Sequence, residues 1–147
     1  SFVSKQMPYS LLNRKIESNG VMDLTKKLGI SIIAYSPLAQ GILTGKFHDK
    51  PELIKKTGFR KSTSQFKSAG LKKSRPLIMS LKELALKYDV TAAQIALNWV
   101  INFHGDTVFA TPGATKEIHV RENTGALSFR LSDKDLKRLD EESVIYK

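Results

Sequence analysis

The chain has 147 residues, the usual size of one domain, and its 41% hydrophobic and 26% charged residues are typical of soluble globular proteins. It contains no cysteine, which excludes a disulfide framework, a thiol nucleophile and a thiolate metal site, so an intracellular, cytoplasmic location is expected. No apolar run approaches the length of a membrane span, and residues 1–10 lack the apolar core of a signal peptide, so no membrane partner is expected.

The first predicted elements are a short strand and an amphipathic helix. The strand covers residues 6–11, with Pro8 near its start or at a sheet edge. In "SNGVMDLTKKLGI", Ser18 or Asn19 is the predicted N-cap of the helix and Gly29 follows its last turn. The helical period points three apolar side chains inward: Val21, Leu24 and Leu28.

A second strand and a long loop follow. The run "ISIIAY", residues 30–35, is apolar and β-branched, which is typical of a strand buried on both faces. Residues 36–74 are rich in Gly, Ser, Thr, Lys and Pro, which predicts a loop with at most a brief helical turn after Pro51. Ten basic and two acidic residues lie between positions 46 and 75, within a chain of net charge +10. Residues 47–75 are therefore predicted to form one long basic loop.

Regular structure is predicted again from residue 75 onward. "RPLIMSLKELALKYD" and "TAAQIALNWVINF" have helical periodicity, and Thr91 is the predicted N-cap of the second helix. Their inward faces comprise Ile78, Leu81, Leu84, Ala85 and Tyr88 in the first, and Ile95, Ala96, Trp99 and Phe103 in the second. A third strand is predicted at residues 107–110, and Thr115 is predicted to cap a helix over residues 116–123. Ser132, with Asp135 three residues on, is the predicted N-cap of a terminal helix.

The alternation of strands and helices predicts an α/β fold with a parallel sheet. Three parallel strands leave both edges of the sheet without hydrogen-bonding partners. We therefore expect either that the sheet pairs with something outside this chain or that the chain is part of a larger fold.

Candidate binding residues follow the second strand. Side chains at the carboxyl ends of parallel strands face the ligand in α/β proteins, and the ring of Tyr35 can stack on a flat heterocycle. The alternative is a buried tyrosine that closes the top of the core. In "SPLAQG", a hydroxyl and loop amides can hold phosphate oxygens, and the alternative is a turn in which Pro37 sets φ.

The segment "PGATKEIHVREN" after the third strand is a second candidate. Gly113 allows close approach of the backbone, and the following helix offers free N–H groups to an anion. His119, Glu122 and Asn123 fall on one helical face, where they could hold a ribose and an adenine edge. The alternative is a solvated helix face. The basic loop has three possible interpretations: a phosphate clamp, a nucleic-acid-binding patch or a solvated segment. The sequence contains no G-x-S-x-G motif, and its three histidines lack the spacing of metal ligands.

Five fragments of the sequence, taken in order, resemble the aldo/keto reductase family: "QMPYSLLNR", "GISIIAYSPLAQGILTGK", "TAAQIALNWVI", "ATPGAT" and "ENTGAL". The resemblance covers nearly the whole chain and is weakest in residues 50–73. The family has a (β/α)₈ barrel of the TIM type that binds NADP(H). The resemblance implies that residues 1–147 are the C-terminal, cofactor-binding part of one such barrel domain, with strands six to eight and their helices, and that the N-terminal half of the barrel is a missing partner.

The resemblance also implies a role for each candidate residue. Gln6 would hydrogen-bond the nicotinamide carboxamide, and Tyr35 would stack on the nicotinamide ring. The pyrophosphate would be held by Ser36, Pro37, Leu38, Ala39 and Gln40, with Lys46 and Arg60. The adenosine end and its 2′-phosphate would be held by Gly113, Thr115, His119, Glu122 and Asn123. Relatives commonly have Gln or Arg in place of His119; because a neutral imidazole binds phosphate less strongly than a guanidinium, NADPH is the expected cofactor and NADH the alternative.

The activity implied by the resemblance is hydride transfer between NADPH and a small carbonyl or alcohol substrate. The family's catalytic tetrad of Asp, Tyr, Lys and His lies on the first half of the barrel, so no catalytic residue is assigned to this chain. Tyr35 is expected behind the cofactor, where it cannot replace the tetrad tyrosine as proton donor. We therefore expect no carbonyl reduction by this chain alone.

Two other hypotheses remain open at this point. The chain could be a non-catalytic nucleotide-binding half-barrel that oligomerises through its open sheet edges. It could instead bind nucleic acid through the basic loop, although no RNA-binding signature accompanies the loop's aromatic residues.

Overall fold

The computed structural model describes residues 3–147 and contains one parallel sheet. Its strands are β1 (Ser4–Pro8), β2 (Ser31–Tyr35) and β3 (Val108–Thr111), in that spatial order. Gln6 lies beside Ile33, and Tyr35 lies beside Thr111. The carboxyl ends of the three strands therefore lie side by side at the same end of the sheet. The strand predicted at residues 6–11 was placed too far along the chain: β1 begins at Ser4 and ends at Pro8, before the fully buried Tyr9.

The described residues form α1 (Lys15–Ser18), α2 (Val21–Leu28), α3 (Lys46–Asp49), α4 (Ser68–Tyr88), α5 (Ala92–Asn102), α6 (Glu117–Gly125) and α7 (Asp133–Glu142). Two of the predicted N-caps are confirmed. The Thr91 hydroxyl accepts a hydrogen bond from the Gln94 N–H and forms a capping box with it, and the Ser132 hydroxyl accepts one from the Asp135 N–H. Among the described residues, no helix has the length and apolar character needed to cross a bilayer.

The sheet has one buried face and one open face. Ile32 and Ala34 are fully buried on the face that the helices cover. On the opposite face Tyr35 is 42% exposed and Phe109 is 59% exposed. The prediction that the second strand is buried on both faces was therefore wrong for this chain, because helices cover only one side of it.

The burial predicted for α2 was also partly wrong. Leu24 and Leu28 are more than half exposed, and Met22 and Thr25 are the buried residues. The helix begins after Gly20, which adopts a left-handed φ of 83°, so neither Ser18 nor Asn19 is the N-cap. The predicted helix end is confirmed, since Gly29 follows the last turn with a φ of 63°.

Residues 36–74 are not the loop that their composition predicted. The chain passes through short helical turns at Ala39–Thr44, Lys46–Asp49, Pro51–Lys56, Gly58–Ser62 and Ser64–Phe66 and enters α4 at Ser68. Ile42, Leu43, Phe47 and Phe66 are buried, and the rings of the two phenylalanines meet edge to face with centroids 5.1 Å apart. Phe66 lies 19 positions after Phe47, and the polar residues between them obscured the pattern.

A fully buried arginine joins the segment after β1 to α7. The Arg14 guanidinium donates hydrogen bonds to both Glu17 carboxylate oxygens, at 3.0 and 2.5 Å, and to Asp140 Oδ1 at 2.5 Å. It also donates to the Asp140 carbonyl at 2.8 Å and lies over the Trp99 ring, 4.8 Å from the centroid. Burial raises the pKa of Glu17, but His104, whose Nε2 lies 3.3 Å from Glu17 Oε1, and the hydrogen bonds from Arg14 and Tyr9 outweigh it and hold that pKa at about 2.

Candidate functional site

A cleft of about 670 Å³ opens at the carboxyl ends of β2 and β3. One wall is the segment that follows β2, and the other is the segment that follows β3 together with one face of α6. The volume falls in the range of small-molecule and cofactor sites, and its position is the one where open α/β sheets bind ligands.

The wall after β2 has an unusual backbone. Ser36, Ala39 and Gln40 adopt left-handed φ angles of 52°, 49° and 57°, a region that non-glycine residues rarely occupy. The neighbouring Ile42 and Leu43 are fully buried, and the Thr44 hydroxyl donates a hydrogen bond to the Gly41 carbonyl at 2.7 Å. The surrounding core thus holds this strained turn in one shape, as is common at binding sites.

The charged side chains of the cleft are mainly cationic. Lys46 and Arg60 line it, and neither has an ion-pair partner within residues 3–147. The Lys46 ammonium lies 4.9 Å from the centroid of the Phe47 ring, and Arg60 donates a hydrogen bond of 3.4 Å to the Gln40 carbonyl. Glu122 is the one acidic residue in the lining that the structure describes. This balance favours an anionic ligand.

The opposite wall presents one face of α6. His119, Glu122 and Asn123 all line the cleft, as their helical spacing predicted. The N-cap is Lys116 and makes no side-chain capping bond, so the prediction that Thr115 caps the helix was wrong. The Thr115 hydroxyl oxygen instead lies 3.4 Å from Nδ1 of His119, and the Asn123 amide donates to the Gly113 carbonyl at 3.5 Å.

The structure brings eleven of the fourteen predicted site residues into this one cleft. They are Ser36, Pro37, Leu38, Gln40, Lys46, Arg60, Gly113, Thr115, His119, Glu122 and Asn123. Gln6 and Tyr35 lie outside its lining, on the open face of the sheet. Ala39 belongs to the same turn, but its side chain is buried in the hydrophobic core.

Five further residues of the lining were not among the fourteen: Gly41, Thr44, Ala93, Thr111 and Pro112. Of these, Gly41 belongs to the candidate segment "SPLAQG" and Pro112 to the candidate segment "PGATKEIHVREN". Gly41 and Thr44 continue the turn after β2, so their place in the sequence was a usable signal. Ala93 comes from the first turn of α5, which tertiary packing alone brings to the cleft.

The family model of the aldo/keto reductases matches residues 1–143. The chain belongs to the aldo/keto reductase family. Among curated relatives, this aldo/keto reductase chain is 36% identical over 136 residues to a probable aldo-keto reductase 1 from Glycine max, covering 92% of the chain and 38% of that protein. It is 33% identical over 132 residues to a probable pyridoxal reductase 2 from Schizosaccharomyces pombe, covering 88% of the chain and 40% of that protein.

Solved structures agree with this assignment. A glycerol dehydrogenase from Gluconobacter oxydans matches with a TM-score of 0.83 and 25% identity, over 97% of this chain and 42% of its own. An aldo/keto reductase from Klebsiella pneumoniae in complex with NADP and acetate matches with a TM-score of 0.64 and 26% identity, over 95% of this chain and 38% of its own. The aldo/keto reductase chain therefore has the fold of this TIM-barrel family and spans about 40% of the length of the relatives it matches.

Proposed function

We propose that this chain is the NADP(H)-binding part of an aldo/keto reductase, with β1, β2 and β3 as strands six to eight of its barrel. The observation that carries the proposal is the cleft itself, in which eleven residues predicted from three separate segments line one space of about 670 Å³. NADH is the alternative cofactor, because a neutral His119 would bind a 2′-phosphate less strongly than a guanidinium.

The donor set of the cleft fits a phosphorylated dinucleotide. Lys46 and Arg60, which have no ion-pair partner in the described part of the chain, supply positive charge for a pyrophosphate next to the turn after β2. The face of α6 supplies an imidazole, a carboxylate and an amide for a ribose and an adenine edge. The relative from Klebsiella pneumoniae was solved with NADP, which supports the same class of ligand.

The role of this chain in the reaction is to bind and orient. NADPH, when bound, supplies the hydride for a small carbonyl substrate. The ring of Tyr35, on the open sheet face beside the end of β2, would pack against the nicotinamide and exclude water from its rear side. The proton would come from a tetrad outside this chain, so the chain alone is expected to be inactive.

The rest of the barrel is the proposed partner of the open surfaces. The outer edges of β1 and β3 pair with no further strand among residues 3–147, and Phe109 of β3 is exposed on the open face of the sheet. Leu24 and Leu28 form a second exposed apolar surface on α2. A whole barrel takes about 250 residues, and this chain spans about 40% of its relatives, so a complementary barrel segment is the occupant that fits both surfaces.

Fluorescence titration with NADPH tests the proposal, with this chain alone and with the same chain joined to the N-terminal half of the barrel. Binding is expected only in the joined protein, and Lys46→Ala is expected to weaken it, whereas Lys50→Ala outside the cleft is the matched control. A joined protein with an intact tetrad that binds NADPH but reduces no carbonyl would contradict the enzymatic part. Absence of NADPH binding would contradict the cofactor assignment.

The open sheet face also favours a second candidate function. A non-catalytic half-barrel could bury Phe109 and Tyr35 by oligomerising through its free edges. Sedimentation of the isolated chain separates the two candidates, since a folded, soluble monomer counts against oligomerisation.

A further inference from the structure

The helix that forms one wall of the cleft is not held by an apolar face. No residue of α6 is buried, and its two β-branched aliphatic residues, Ile118 and Val120, are 63% and 51% exposed. Most helices in proteins owe their position to a buried apolar stripe. Some other contact must therefore fix α6, because three of its side chains face the cleft.

Gln94 of α5 makes one such contact. Its side-chain oxygen accepts a hydrogen bond from the Thr91 N–H at 3.0 Å, and its side-chain amide donates to the carbonyl of Glu122 at 2.9 Å. A Cβ atom placed on Gly125 would lie only 2.3 Å from the same amide nitrogen. The absence of a side chain at Gly125 thus makes the space in which Gln94 reaches the backbone of α6.

Asn98 makes the next contact, one turn further along α5. It is fully buried, and its amide donates to the carbonyls of Ala126 and Phe129 at 2.9 and 2.7 Å. Its side-chain oxygen accepts a hydrogen bond from the Leu131 N–H at 3.1 Å. Asn98 therefore connects the segment that follows α6 to the same face of α5 through three hydrogen bonds.

We propose that Gln94 and Asn98 are positioning residues that set where α6 stands at the cleft, and hence the affinity of the cleft for the adenosine half of its ligand. The Gln94 side chain donates a hydrogen bond to the carbonyl of Glu122, and the side chain of Glu122 lines the cleft. A shift of that backbone therefore moves His119 and Asn123 as well. The nature of the ligand rests on the proposed function, whereas the positioning of α6 does not.

Gly125→Ala is the decisive variant. The new methyl group displaces the end of the Gln94 side chain and breaks its bond to Glu122, while alanine is a better helix former than glycine. In the full-length protein we expect the affinity for NADPH and for 2′,5′-ADP to fall about three- to tenfold, because holding α6 in place on binding would then cost about the net free energy of one hydrogen bond. Affinity for nicotinamide mononucleotide and thermal stability should not fall. Unchanged affinity for 2′,5′-ADP would overturn the proposal.

A double variant tests whether Gly125→Ala lowers the affinity by displacing Gln94. Gln94→Ala alone should weaken 2′,5′-ADP binding to a similar extent, because it removes the same bond. Gly125→Ala added to Gln94→Ala should weaken it no further, since no long side chain is left to displace. Additive losses would overturn the assignment of the effect to Gln94.

Thr91→Ala is the matched control. It removes the capping bond to the Gln94 N–H but leaves the bond from Gln94 to Glu122 in place. We expect it to lower stability without weakening 2′,5′-ADP binding. A parallel loss of affinity in this variant would mean that stability, and not position, governs the cleft.

Amide hydrogen exchange without any ligand separates this proposal from the proposed function. Exchange in Glu117–Gly125 should be faster in Gly125→Ala and in Gln94→Ala than in the unchanged protein, and not in Thr91→Ala. If the unchanged protein bound no NADPH, the proposed function would fail. The exchange rates of the four proteins would still show whether Gln94 holds α6 in position. Equal protection in all four proteins would overturn it.

Discussion

Replacing Arg14 with Met is expected to destabilise the protein by about 3 kcal/mol. The guanidinium is fully buried and bonded to Glu17 and Asp140, and removal of one partner of a buried pair costs about 3–5 kcal/mol. The pKa of Glu17 points in the same direction. It is lowered from 4.5 to about 2, and Arg14 shares this effect with His104 and Tyr9.

The pH dependence of unfolding distinguishes this pair from simple packing. Because the folded-state pKa of Glu17 is lowered, its contribution is present above about pH 4.5 and is lost as the pH falls toward 2. In Arg14→Met the pKa of Glu17 should rise toward its ordinary value, so stability should depend less on pH in that window. Urea unfolding at pH 7, 4 and 3 measures both effects.

Lys15→Met is the matched control for this experiment. Lys15 is the next residue along the chain, is exposed and has no ion-pair partner within residues 3–147, so its loss should change stability by less than about 0.5 kcal/mol. A loss below about 1 kcal/mol for Arg14→Met, or an unchanged slope between pH 4.5 and 2, would refute the reasoning.

Three further predictions concern a cap and the cleft. Ser132→Ala should lower the free energy of unfolding by about 1 kcal/mol, measured by urea unfolding, because the Asp135 N–H loses its capping acceptor. Arg60→Ala should weaken NADPH binding and flatten its salt dependence in titrations at increasing ionic strength, while Lys61→Ala, outside the cleft lining, should leave the affinity unchanged. His119→Arg should tighten binding of NADPH more than that of NADH, because a guanidinium can bind a 2′-phosphate through two parallel hydrogen bonds; equal effects on the two would contradict a place for His119 at the 2′-phosphate.

Local chemistry explains the parts of the fold that were predictable. The caps at Thr91 and Ser132 involve residues only three positions apart, so the sequence pattern contains both partners. The alignment of His119, Glu122 and Asn123 follows from helical geometry alone. The same period accounts for the buried Ile78, Leu81, Leu84 and Ala85 of α4 and for Ile95, Ala96 and Trp99 of α5, whereas Tyr88 and Phe103 are only partly buried. It does not account for the burial of Leu97, Asn98 and Val100 on the other faces of α5.

Tertiary context explains the parts that were not predictable. Leu24 and Leu28 have the period of a buried stripe, but no element within residues 3–147 covers them. The helical turns between β2 and α4 depend on anchors such as Phe47 and Phe66, which meet across 19 positions of the sequence. Ala93 lines the cleft only because tertiary packing places the first turn of α5 beside it, and no local sequence pattern predicts that contact.

The left-handed turn after β2 affects how a ligand would bind as well as where. Ser36, Ala39 and Gln40 are held at unfavourable φ angles next to the fully buried Ile42 and Leu43, so the cost of ordering this turn belongs to folding and not to association. A ligand would meet a preorganised wall, and the entropy of immobilising the turn would not oppose its binding. Gln40→Gly would remove the unfavourable φ angle at position 40 and raise the free energy of unfolding by up to about 1 kcal/mol. It would also lower the affinity for the ligand, because binding would then have to order a more mobile turn.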